Sequence, residues 1–149
     1  MLREEGFQNF INADLIAEGI SPLNPEAAAI RAGELMLAEI GRCVEHLESF
    51  AMETTLSGRS HARQIPRWQA AGYRVELIFL RLRSVRLALA RVKARVARGG
   101  HHVPASVVRR RFHRGLHNFE ELYRPLVDHW ILFDNSESPT RLLAEGRNG

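Results

Sequence analysis

Two acidic residues, each just behind a short apolar run, are the places where this sequence could do chemistry. Asp14 closes Asn12-Ala13-Asp14 after the run Phe7-Gln8-Asn9-Phe10-Ile11, and Glu53 follows Phe50-Ala51-Met52 and opens Glu53-Thr54-Thr55-Leu56-Ser57-Gly58-Arg59. Short apolar runs bounded by polar residues read as strands. In open α/β sheets ligands bind beyond the carboxyl ends of the strands. A carboxylate at such a tip can take a proton from a hydroxyl. A second one, with the hydroxyls of Thr54 and Thr55, can orient that hydroxyl or hold Mg²⁺ through water. Either acid alone is explained equally well as a helix cap or a solvated loop residue. Two at one sheet edge favour chemistry. Asp134-Asn135-Ser136 marks a third polar strand end, after Trp130-Ile131-Leu132-Phe133.

The second chemical feature is arginine. Lys93 is the only lysine among 21 cations. Residues 1–58 carry three arginines against ten acids, net −7, while residues 59–149 carry 18 cations against seven acids, net +11. Between 81 and 114 there are eleven cations and no acid. Arg91, Arg95 and Arg98 fall at helical spacing and share one face. Arg109, Arg110, Arg111 and Arg114 crowd the next helix, across the loop Gly99-Gly100-His101-His102-Val103-Pro104. Guanidinium groups bind phosphate through paired hydrogen bonds and stabilise charge on a transferring phosphoryl group. Two arginine-bearing helices joined at a glycine pair suit a lid, over about 91–114, of which two to four arginines would reach a ligand. His113 and His117 are four apart on a helix, but the position that a zinc motif gives to glutamate is Arg114, which argues against a metal site.

These residues need elements to position them. Asn24 followed by Pro25 starts a helix over roughly 25–48, with Ile30, Gly33, Leu37, Ile40, Val44 and Leu47 at helical spacing. A helix over about 59–71 ends at Gly72, and Tyr73–Leu80 is the clearest strand. Ser84 caps a helix bearing Val85, Leu89, Val92 and Val96, which stops at Gly99-Gly100. Pro104 opens another, bearing Val108, Phe112, Leu116, Phe119 and Tyr123. The polar tail 139–149 is expected to fray. Strands alternating with helices predict an α/β domain with a parallel sheet covered on both faces.

Length and composition agree with one globular domain: 149 residues, 45% apolar, no linker and no repeat. No apolar run reaches the roughly 20 residues of a membrane helix. Met1–Glu5 lacks a signal-peptide core, and Cys43, the single cysteine, has no internal partner, so a cytoplasmic protein is expected.

Taken in order, Asn12–Gly19, Asn24–Ala28, Glu53–Gly58, Ala71-Gly72-Tyr73, Gly99–Pro104 with Arg109–Phe112, and Asp134–Ser136 resemble the zeta-toxin-like family of P-loop kinases, over about residues 7–143. The resemblance implies a three-layer fold and transfer of a phosphoryl group from ATP, with Mg²⁺, to a hydroxyl of a small molecule; the toxin branch is associated with UDP-N-acetylglucosamine. It implies Asp14 as the base, with Arg91 and Arg98 as catalytic phosphate clamps. Asn12, Glu53, Thr54, Thr55 and Arg59 would bind substrate, Glu53 sitting in the outer shell of Mg²⁺. Arg95, Arg109 and Arg110 would belong to the lid; whether Arg95, Arg98 or Arg109 is the second clamp stays open. Partners implied are a nucleotide, a small-molecule substrate and an antitoxin protein.

One part of the family pattern has no counterpart here. There is no Gly-x-x-x-x-Gly-Lys-Ser/Thr loop, and Lys93 follows Val92 inside a predicted helix. The strand leading into that loop lies mid-sheet in such kinases, so without it the strands at 50–53 and 73–80 would keep unpaired edges. The expectation is a kinase domain truncated at its start, with the strand, loop and first helix encoded upstream of Met1. The alternatives are a non-catalytic degenerate fragment that binds a nucleotide or protein partner, and a basic nucleic-acid-binding module. Against the last, the 81–114 patch holds a single aromatic, Phe112, for stacking.

Overall fold

The computed structural model describes residues 9–149, so Phe7 and Gln8 of the first expected strand lie outside the described residues. The chain divides into two compact units, Met1–Thr54 and Thr55–Gly149.

The first unit runs β1 (Asn9–Ile11), α1 (Ala13–Ile20), a 3₁₀ turn (Pro25–Ala28), α2 (Ala29–Glu45) and β2 (Phe50–Met52). β1 and β2 pair in parallel, Asn9 opposite Phe50 and Ile11 opposite Met52. The Glu53 amide extends the ladder by donating to the Ile11 carbonyl at 3.2 Å. α1 forms because Asn12 caps it: its Oδ1 accepts from the Asp14 and Leu15 amides at 2.9 and 3.2 Å. The cap satisfies two of the four amides that a helix start leaves over.

α2 buries Ile40 of the stripe its large residues suggest but otherwise turns a different face inward. Ala32, Met36, Ile40 and Cys43 face inward, while Ile30 is 83% exposed, Leu37 51% and Leu47 68%. The reason is close packing by small side chains: Ala17, Ala28 and Ala32 form one cluster with Ile16 against it. Past α2 the chain turns through Leu47 at φ +52°. Arg42 holds this turn by bridging Glu39 and Glu48, and Glu48 also accepts from the Asn9 amide at 3.2 Å.

The second unit runs α3 (Ser60–Ala70), β3 (Glu76–Arg81), α4 (Val85–Ala97), α5 (Ala105–Asn118), a π-helical turn (Phe119–Tyr123), β4 (His129–Asp134) and β5 (Arg141–Arg147). β3 and β4 pair in parallel, Glu76 opposite His129 through Arg81 opposite Asp134. The tail expected to fray is instead β5, antiparallel to β4, with a register shift at Leu132/Phe133. Asn148 pins its end by donating to the Arg124 and Val127 carbonyls at 2.6 and 2.8 Å. The all-parallel sheet is therefore corrected to a two-stranded parallel pair and a separate mixed three-stranded sheet.

Phe119, Tyr123 and Val127 are the large, fully buried side chains at the centre of this unit. Phe119 stacks on Phe79 at 4.6 Å and meets Trp130 edge-on at 6.1 Å. Ser84 caps α4 as expected, accepting from the Leu87 amide at 3.2 Å. α4 ends in a left-handed Gly99, φ +88°. The Gly99 and Gly100 amides return to the Val96 and Arg95 carbonyls at 3.0 and 2.8 Å, a glycine helix stop.

Candidate functional site

In the first unit the parallel pairing of β1 with β2 sets Ile11 beside Met52, so the residues that follow them share one strand-end edge. Asn12 Nδ2 donates to Glu53 Oε2 at 2.8 Å. Asn12 thus does two jobs, capping α1 with its oxygen and bracing Glu53 with its nitrogen. Asp14 follows in the first turn of α1, exposed to solvent, where the helix N-terminus favours negative charge. The structure therefore brings Asn12, Asp14 and Glu53 to one edge; exposed Thr54 follows directly.

In the second unit Thr55 and Ser57 share a hydroxyl hydrogen bond of 2.7 Å. Leu56 between them is buried, at φ +55°. Arg59 is exposed just ahead of α3. Arg91, Arg95 and Arg98 line one open groove of about 700 Å³, with Leu82, Val92 and Val108 as apolar lining. Arg91 donates to the Ser136 carbonyl at 3.0 Å, which ties α4 to the third polar strand end, and Arg98 Nε donates to the Ala94 carbonyl at 3.3 Å. Arg109 and Arg110 are exposed on α5 and do not line this groove. So the structure groups the α4 arginines and leaves the α5 arginines out of that group.

Asp134 is held below the usual carboxylate range, first by its hydrogen bonds from Ser136 and then by Arg141 and Arg81 nearby. Burial pushes the Tyr123 phenol up, which keeps its proton available to donate. The same effect raises the Cys43 thiol, which is buried in the core of the first unit.

Sequence reasoning missed three residues around the 55–58 loop: Asn118 and Tyr123, which donate hydrogen bonds to it, and Gly115, which lets the helix backbone approach it. The signal was present. A glycine and an asparagine, both poor helix formers, sit among the apolar positions of α5, where packing alone would place leucine or alanine.

Residues 21–146 match the family described as zeta toxin. The chain belongs to the zeta toxin family. An uncharacterized protein of Haemophilus influenzae is 34% identical over 109 residues, covering 73% of this chain and 78% of that protein. No solved structure matches. Membership makes the protein P-loop-kinase-like, in a family that acts on nucleotides or small molecules and generally uses ATP and Mg²⁺.

The residues of this chain do not by themselves fit ATP with Mg²⁺. The glycine-rich loop that cradles phosphates has no counterpart in the sequence, and Lys93 is exposed within α4. Among the described residues no group of three His, Cys, Asp or Glu side chains could hold a metal ion. No helix among them is long and apolar enough to cross a membrane.

Proposed function

We propose that this zeta toxin family chain carries the acceptor side of a phosphotransferase, with Asp14 as the base that takes the proton of a small-molecule hydroxyl. The observation that supports it is the 2.8 Å bond from Asn12 to Glu53, beside the exposed Asp14. It fixes two adjacent strand ends so that one carboxylate is braced and another is solvent-facing on a helix start. In the step Asp14 performs, the acceptor O–H bond breaks and the proton passes to its carboxylate. Glu53 and Thr54 hold and orient the acceptor, a nucleotide sugar in the reading the family suggests. In the second unit Arg91, Arg95 and Arg98 supply the cationic groove for an anionic group.

The ATP-anchoring loop is not among these residues, so the test uses the chain extended by the reading frame upstream of Met1. With ATP and UDP-N-acetylglucosamine, Asp14→Asn should lower turnover at least a hundredfold, since a positioned base contributes about 10²–10⁴. Near-native rates would remove Asp14 from the role. Arg98→Ala should cost rate with little loss of stability. Arg91→Ala should cost both, because Arg91 also holds Ser136.

The absent phosphate cradle supports a second reading, a non-catalytic relative that binds a nucleotide or protein partner. An in-frame stop directly before Met1, with no glycine-rich lysine motif upstream, would favour it.

A further inference from the structure

The backbone of residues 55–58 is held in an unusual shape from outside. Leu56 adopts a left-handed conformation, φ +55°, that side chains with a Cβ take only when their surroundings impose it. Three residues of α5 and the π turn face this loop. Asn118 Nδ2 donates to the Leu56 carbonyl at 2.7 Å. The Tyr123 hydroxyl donates to the Gly58 carbonyl at 2.7 Å. A Cβ on Gly115 would stand 2.7 Å from the Thr55 carbonyl oxygen, so only glycine lets the helix backbone come this near.

The π turn makes the arrangement possible. At 3.6 residues per turn, residues five apart on an α-helix point about 140° away from each other. A turn closed by i→i+5 bonds takes in an extra residue and narrows that angle. Here the Arg124 amide bonds the Phe119 carbonyl at 2.9 Å, and the extra residue sets Asn118 and Tyr123 on the same side. Asn118 is 5% exposed and Tyr123 1%. Packing alone would be met by leucine at 118 and phenylalanine at 123. Polar atoms committed to two carbonyls, two residues apart in the loop, specify its shape.

We infer that Asn118 and Tyr123 are positioning residues that set the Thr55–Gly58 backbone, and with it the Thr55 hydroxyl, as a substrate-contacting loop of the second unit. This rests on the acceptor-side reading above. Because the loop is held through carbonyls, its amides and its hydroxyl pair keep one orientation without a ligand, and binding need not order them.

The test uses the full chain with Asn118→Leu and Tyr123→Phe, the second keeping the ring and so the packing. Amide hydrogen exchange at Leu56–Gly58 should speed up at least tenfold in each variant, with Ile131 and Leu132 in β4 unchanged. Calorimetric titration with UDP-N-acetylglucosamine should show affinity reduced at least tenfold. Gly115→Ala should give the same pair of effects by pushing on Thr55. Wild-type exchange in both variants would overturn the inference, as would unchanged affinity despite faster exchange. A wild-type chain that does not bind the nucleotide sugar would sink the acceptor-side reading, and the exchange comparison would then decide this one alone.

Discussion

Asn12 and Asn118 are the same side chain put to opposite uses. Asn12 stands at the surface, where it caps a helix and braces a carboxylate, and both partners are wet. Asn118 is buried and gives its amide to one loop carbonyl. Water competes for every bond that Asn12 makes and for none that Asn118 makes. The strand tips of the first unit are therefore held by bonds open to water, whereas the Leu56 carbonyl in the second unit is held by a bond shielded from it. Burial, more than the number of hydrogen bonds, separates the two.

Stability measurements can break that contrast. The largest effect should come from Asn118→Leu, which strands the buried Leu56 carbonyl at a cost of about 1–3 kcal/mol. For a domain near this size that lowers Tm by about 2–4 °C per kcal/mol. Asn12→Ala should cost about 1 kcal/mol, the worth of a helix cap, and should weaken substrate binding through the released Glu53. If the two asparagines cost the same, burial is not what distinguishes them. Glu53→Ala should change Tm little, because the hydrogen bond it breaks is exposed, while still reducing acceptor affinity.

The third strand tip sharpens the comparison in acid. Asp134 is half-buried and accepts from the Ser136 amide at 2.9 Å. Its folded-state pKa is depressed, so its stabilisation is present above the ordinary carboxylate range and is lost as pH falls through the lower folded value. Asp134→Asn should therefore lower stability at pH 7, and the deficit should shrink below about pH 4 as the wild-type carboxylate protonates, which flattens that part of the acid limb. An unaltered acid limb would mean that Ser136 and Arg141 do not hold this carboxylate.

Much of the fold is legible in the sequence wherever local chemistry decides it. Ser84, the Gly99-Gly100 stop and the Phe50-Ala51-Met52 strand appear where their residue types put them. What escapes the sequence is decided at long range. α1 forms because one asparagine oxygen reaches two amides. α2 turns its small residues inward because α1 and the 3₁₀ turn present alanines, and no periodicity count weighs Ala32 above Ile30. β5 exists because β4 offers it an edge, although 141–147 reads as a polar tail. For the candidate site, Asn12, Asp14 and Glu53 were legible from strand-end position. Asn118 and Tyr123 were not, since their pairing needs a π turn that leaves no periodic trace.

The outward side of α2 has a practical consequence. Ile30 at 83% exposure, with Leu23 at 100% in the loop before it, meets water without contributing to the core. Replacing either with lysine or glutamate should leave melting unchanged and raise the concentration at which the purified chain stays monodisperse. These positions are thus open to solubilising charges or spectroscopic labels.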